Sequence, residues 1–171
     1  MSLAKPLNIA MRGLQFLWAL LVMAIVGNMV AEAHNSPSVV NYSLFCSVFG
    51  MLSLFYLLPA TIWENFSISP WFPLILDILN TIFWFCGAVA LAADLGVHSC
   101  SNQGYLDSNH ITNGVKTGKS GRCTEAQASD AFLFFGFFAF LVSTVLSGLN
   151  TRGSGIRPSG IRRSGPAMSQ V

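Results

Sequence analysis

The chain has 171 residues, enough for one compact domain and too few for two. It is 53% hydrophobic and only 9% charged, against roughly 25% charged residues in a soluble domain, so a water-facing surface cannot be built from it. The net charge of +2 carries little weight, and because no basic residues are interleaved with exposed aromatics, a nucleic-acid partner is excluded.

Four apolar stretches follow one another, at about residues 8–31, 39–62, 72–97 and 126–149. Each is about 24 residues long, and a helix needs roughly 20 to cross the hydrocarbon core. Unpaired backbone polar groups are too costly in lipid, so segments of this length must be helical. The ~10-residue alternating runs of a membrane barrel are absent. The reading is all-α, a four-transmembrane-helix bundle. The first stretch, with Lys5 and Arg12 before its apolar run, resembles a signal peptide but exceeds the usual 7–15-residue apolar core, so it is expected to remain as a span.

The first connection is a short polar turn from Glu32 to Ser38. The second runs from Trp63 to Trp71 and sets two Trp at interfacial depth. The third, His98 to Glu125, is long and rich in Gly, Ser and Asn. Thr124 and Gln127 have capping-box spacing, which predicts that the last span begins at about Glu125. The domain organisation is then a membrane domain over residues 1–150 and a Gly/Ser/Arg/Pro tail over 151–171 without apolar periodicity, expected to be disordered.

Orientation follows from Lys and Arg counts. With four spans the termini share a side, which holds six basic residues: Lys5, Arg12, Arg152, Arg157, Arg162 and Arg163. The opposite side holds three, Lys116, Lys119 and Arg122, all in the long loop. Six against three predicts cytoplasmic termini and an extracellular long loop.

Cys100 and Cys123 bracket that loop. In an oxidising exterior they are the natural disulfide, and closing about 22 intervening residues would contribute roughly 3 kcal/mol by chain entropy; two free thiols are the alternative. Asp77 lies about one turn inside the third span, with Asn80 on the same flank. A carboxylate there is costly, so it should face the bundle and find a partner. It is read as a structural hydrogen-bonding group, the alternative being a proton or ion site. Asp94 and Asp130 lie near the outer span ends and are expected to act as interfacial anchors.

Small residues recur at helix-packing spacing: Gly27 and Ala31 in the first span, Gly87 and Ala88 with Ala92 and Ala93 in the third, and Ala139, Ser143 and Ser147 in the fourth. They are expected to let helices of the bundle approach closely rather than to mediate oligomer contacts. Six phenylalanines between Phe132 and Phe140 surround the last span and suit lipid or a partner helix. No nucleophile elbow, phosphate-cradling Gly loop or His-rich metal cluster occurs, so no catalytic residues, metal or cofactor are expected.

These features resemble the MARVEL domain of vesicle-trafficking and junction tetraspan proteins. More specifically, the chain is similar to the fungal non-classical export protein family of eisosome-associated membrane proteins. The likeness is carried by Asn41-Tyr42, Asp77-Ile78-Leu79-Asn80, His98-Ser99-Cys100, Tyr105-Leu106-Asp107-Ser108-Asn109, Arg122-Cys123, Ala126-Gln127-Ala128 and the closing Ser169-Gln170-Val171. Leu7-Asn8, Arg12-Gly13-Leu14-Gln15 and Leu146-Ser147-Gly148-Leu149-Asn150 look like its filamentous-fungal version.

The resemblance implies a plasma-membrane organiser linked to eisosome domains, sphingolipid-responsive signalling and export of proteins that lack signal peptides. Expected partners are membrane lipids (sphingolipid or anionic lipid), other membrane or eisosome proteins, or a second copy of the chain. Arg152, Arg157, Arg162 and Arg163 would meet anionic inner-leaflet lipids at about 1 kcal/mol each. The competing readings are a small transporter or proton-linked channel using Asp77, and a lipid-directed enzyme using Asp107, His98 and His110.

Overall fold

In the computed structural model, which describes residues 4–63, 69 and 71–153, all regular structure among the described residues is helical. The elements are α1 (Ala4–Glu32), α2 (Ser38–Ile62), α3 (Trp71–Leu95), the short α4 (Gln103–Ser108), a single 3-10 turn (Thr112–Gly114) and α5 (Lys119–Gly153). Of these, α1, α2, α3 and α5 are long and apolar enough to cross a membrane. The chain is a multi-pass membrane protein. At 25 residues, α2 and α3 are each about 37 Å long, enough to clear the ~30 Å hydrocarbon core.

The four long helices form a ring in which α1 packs on α2 and α5, and α3 packs on α2 and α5. The diagonal pairs α1/α3 and α2/α5 are separated by the core. Trp84 of α3 fills its centre, fully buried and tilted against Phe140 of α5 at a ring-centroid distance of 5.5 Å. Two glycines make room for the indole: a Cβ at Gly136 would overlap its six-membered ring, and one at Gly50 would stand 3.1 Å from Nε1. The outward faces carry Leu52, Phe55, Ile75, Ile82, Phe135, Phe138 and Val145, all exposed. So much exposed apolar area is expected where lipid is the solvent.

Helix ends differ from the sequence reading where the loop intervenes. α3 stops at Leu95 rather than at 97, because Gly96 takes a left-handed φ of 60° and its N–H donates to the Ala92 carbonyl. α5 begins at Lys119, six residues before the expected start. The Thr124–Gln127 pair is therefore not its cap. Thr124 Oγ1 donates back to the Ser120 carbonyl, and Gln127 Nε2 donates across to the His98 carbonyl. The cause is tertiary, since Arg122, Cys123 and Ala126 bury one face of these extra turns against the loop. At its other end α5 runs to Gly153, beyond the expected boundary at 150, so the backbone at Arg152 is helical.

Candidate functional site

The strongest candidate is a polar cluster buried at the end of the bundle that holds the termini. Arg12, two turns into α1, is fully enclosed. Its guanidinium forms a bidentate pair with Asp77 of α3, with Nη2 donating to Oδ2 at 2.8 Å and Nη1 to Oδ1 at 2.5 Å. This contact spans the diagonal of the ring. Ser147 of α5 donates to the same Oδ2 at 2.9 Å. Gln15, one turn on from Arg12 and on the same face, accepts from Arg12 Nη1, then donates to Ser143 Oγ at 2.8 Å and to the Ala139 carbonyl at 3.0 Å. Thr81 and Thr144 share a hydrogen bond of 3.0 Å beside it. Three helices are thus joined by polar bonds in a region that water does not reach.

A buried carboxylate is tolerated only when paired and hydrogen-bonded. Asp77 has both, from Arg12 and Ser147. Asn80, fully buried as expected beside it, donates to the Leu76 carbonyl of its own helix while its Oδ1 has no partner. By sequence, Arg12 counts among the flanking charges. The structure corrects this: it is the missing partner of Asp77. The available signal was the three-residue step from Arg12 to Gln15, which puts two long polar side chains on one helix face.

The small residues divide into two groups. Gly87 and Ala88 of α3 are buried, and a Cβ on Gly87 would stand 3.2 Å from Cys46 Sγ of α2, so close approach is real there. Ala139, Ser143 and Ser147 lie on the inward face of α5, but their bonds to Gln15 and Asp77 make them part of the polar cluster as well as packing steps. Gly27 and Ala31 do not fit the expectation. Ala31 is exposed, and a Cβ on Gly27 would meet nothing within 4 Å. The face of α1 used for packing is instead that of Ala19, Val22, Val26 and Met29.

At the opposite end the long loop is a folded cap. Cys100 and Cys123 form a disulfide with a Cα–Cα distance of 5.6 Å. Tyr105 of α4 sends its hydroxyl to the Leu95 carbonyl at 2.6 Å and stacks on His98, ring centroids 4.6 Å apart. Burial pushes its phenol above the ordinary range. Asn109 donates to the Asp94 carbonyl and accepts from the N–H of Ile111. Arg122, 3% exposed, donates from Nε to the Ile111 carbonyl and from Nη1 to the Met29 carbonyl at the end of α1, each at 2.6 Å.

The residues considered for lipid chemistry are engaged apart from one another: Asp107 pairs with Lys119, His110 faces Asp94, and His98 lies on Tyr105. Asp94 is partly exposed, as an interfacial anchor would be, whereas Asp130 has its Oδ1 buried without a partner. Arg157, Arg162 and Arg163 fall outside the described residues.

The MARVEL family, described as a membrane-associating domain, matches residues 5–146. Non-classical export protein 2 of Saccharomyces cerevisiae is 34% identical over 94% of this chain and 95% of its own. Non-classical export protein 102 of Candida albicans is 36% identical over 96% and 97%. A Schizosaccharomyces pombe protein named Non-classical export protein 2 homolog is 30% identical over 74% and 68%. No solved structure matches significantly. The residues quoted for the resemblance are largely those that build the two ends just described, Arg12, Gln15, Asp77 and Ser147 at one and His98, Cys100, Tyr105, Asn109, Arg122 and Cys123 at the other, and the chain belongs to the MARVEL family in its fungal non-classical export protein branch.

Proposed function

We propose that this protein is a non-enzymatic organiser of the plasma membrane, of the eisosome-associated kind that responds to sphingolipid and aids export of proteins without signal peptides. The observation that carries this reading is the closed state of Asp77: both carboxylate oxygens are taken by Arg12, and Oδ2 also by Ser147. A proton-linked carrier needs a carboxylate that can exchange its proton with water. A clamped one serves to hold helices together, leaving the outer apolar faces and the terminal segment to interact laterally.

The termini are cytoplasmic in this reading. Removing the internally paired Arg12 leaves five basic residues on the terminal side against three in the loop, and the disulfide fits an oxidising loop side. The basic segment that follows α5 then lies against anionic inner-leaflet lipid.

The test pairs two measurements on the full-length protein. Purified protein in liposomes should carry no proton or ion flux, while the tagged protein in cells should gather in membrane patches that disperse when Arg157, Arg162 and Arg163 are neutralised. A flux abolished by Asp77→Asn would replace the organiser by a transporter. Tags on the two termini must both face the cytoplasm.

A further inference from the structure

Asn113, in the long loop, is the one asparagine of the chain followed by glycine. Asparagine is a thermolabile residue, because the next residue's backbone nitrogen can attack its side-chain amide carbon. A side chain on that next residue hinders the approach, and glycine has none. Most of the described asparagines are held back by bonds of their own. Asn28 donates to Glu125, Asn80 to the Leu76 carbonyl and Asn109 to the Asp94 carbonyl, while Asn102 accepts from the Tyr105 N–H. The Asn113 amide is exposed and carries no hydrogen bond among the described residues. Asn35 is equally free, but Ser36 follows it.

Ring closure requires Asn113 to leave its helical backbone angle, so the turn around it must open. That turn is a single 3-10 turn, Thr112–Gly114, followed at once by extended Val115 at φ −128° and ψ 150°. Short 3-10 turns have poor hydrogen-bond geometry, and exposed segments of this kind open locally at little cost. Asn113 N–H donates to the Asn109 carbonyl at 2.9 Å, and the Gly114 carbonyl accepts from the His34 N–H at 3.2 Å. The second bond has the longer reach. His34 lies in the connection between α1 and α2, so this bond ties that connection to the long loop.

We propose that Asn113–Gly114 is a self-modifying site, at which water converts the asparagine to aspartate and isoaspartate and so releases the loop from His34. The Gly114 nitrogen gives up its proton and attacks Asn113 Cγ, forming a C–N bond and a succinimide ring. The side-chain amine leaves with a proton as ammonia. Water then opens one of the two ring carbonyls, giving aspartate from one and isoaspartate from the other. In sum, one amide and one water become one acid and one ammonia, with nothing oxidised or reduced. In isoaspartate the main chain runs through Cβ and Cγ, which lengthens it by one carbon just ahead of Gly114. That displaces the carbonyl that accepts from His34. Cys100–Cys123 and the Arg122 bond to the Met29 carbonyl still hold the rest of the cap. The inference needs only a water-exposed loop and stands apart from the organiser reading.

The test ages the purified full-length protein in detergent at mildly alkaline pH and reads its peptides by mass spectrometry. The peptide holding Asn113 should gain the mass difference between an amide and an acid before any other asparagine does. It should also accept methyl groups from an isoaspartyl methyltransferase. Conversion should quicken as pH rises, because the attacking nitrogen must lose its proton. Hydrogen exchange at the His34 amide should speed up in step with it. Asn113→Gln keeps an exposed amide but would need a larger, slower-forming ring, so it should lose both signals with thermal unfolding unchanged. The proposal is overturned if Asn113 survives ageing of the folded protein, or if another asparagine converts first. It is equally overturned if Asn113→Gln still accepts methyl groups to the same extent, or if His34 stays protected after full conversion at Asn113.

Discussion

Arg12 and Asp77 meet across the diagonal of the helix ring, joining α1 to α3, two helices that otherwise hardly touch. Both side chains are enclosed, so the pair is the costliest polar feature of the bundle and also the one that fixes which faces turn inward. Removing one partner strands a charge, which for buried pairs typically costs 3–5 kcal/mol. Arg12→Met alone and Asp77→Leu alone should each lower stability by about that much, while the double variant should recover most of it. Thermal unfolding in detergent and a double-mutant cycle measure this. Additive losses would mean that the two residues act independently.

Trp84 and Gly136 make a second, purely steric prediction. A methyl at 136 would overlap the indole, and overpacked cores typically lose about 1–3 kcal/mol. Gly136→Ala should therefore destabilise by that order, and Trp84→Leu in the same chain should restore part of it. Gly148→Ala, where a Cβ meets nothing within 4 Å, is the control and should be neutral.

The loop disulfide is expected to matter locally. Cys100→Ser with Cys123→Ser frees a loop with a sequence separation of 23 residues, a loss of about 3 kcal/mol by chain entropy. Limited proteolysis should then cut within residues 101–118 while the four long helices stay protected. Equal protease resistance with and without the bridge would show that Arg122 and Tyr105 hold the cap alone.

Tyr105 supplies the pH prediction. Its phenol titrates above its unfolded value of about 10 because burial disfavours the phenolate. An acid with a raised folded pKa keeps its full contribution below the unfolded pKa and loses it as pH climbs toward the folded one. The cap should thus loosen above about pH 10, read by hydrogen exchange or proteolysis of the loop. Tyr105→Phe deletes the bond to the Leu95 carbonyl, should cost about 1 kcal/mol, and should remove this tyrosine's share of the alkaline loss.

The four spans were legible because lipid imposes one requirement on every segment that crosses it. About 24 apolar residues with satisfied backbone can only be a helix there, and no tertiary contact is needed to see it. Asp77 was legible as a residue in need of a partner for the same reason. Its partner was not, because Arg12 near the chain start reads equally as a flanking charge, and only the packing of α1 turns it inward onto Asp77.

Small-residue spacing gave Gly87 correctly and Gly27 wrongly, since spacing identifies a narrow helix face without saying what lies opposite. The start of α5 was missed because local capping chemistry at Thr124 lost to burial of Arg122 and Cys123 against the loop. Composition and hydropathy alone determined the span count and helical class, as both depend on one-body transfer into lipid. Which arginine neutralises Asp77, which glycines admit Trp84 and how the loop caps the bundle are pairwise matters, decided only when the helices come together.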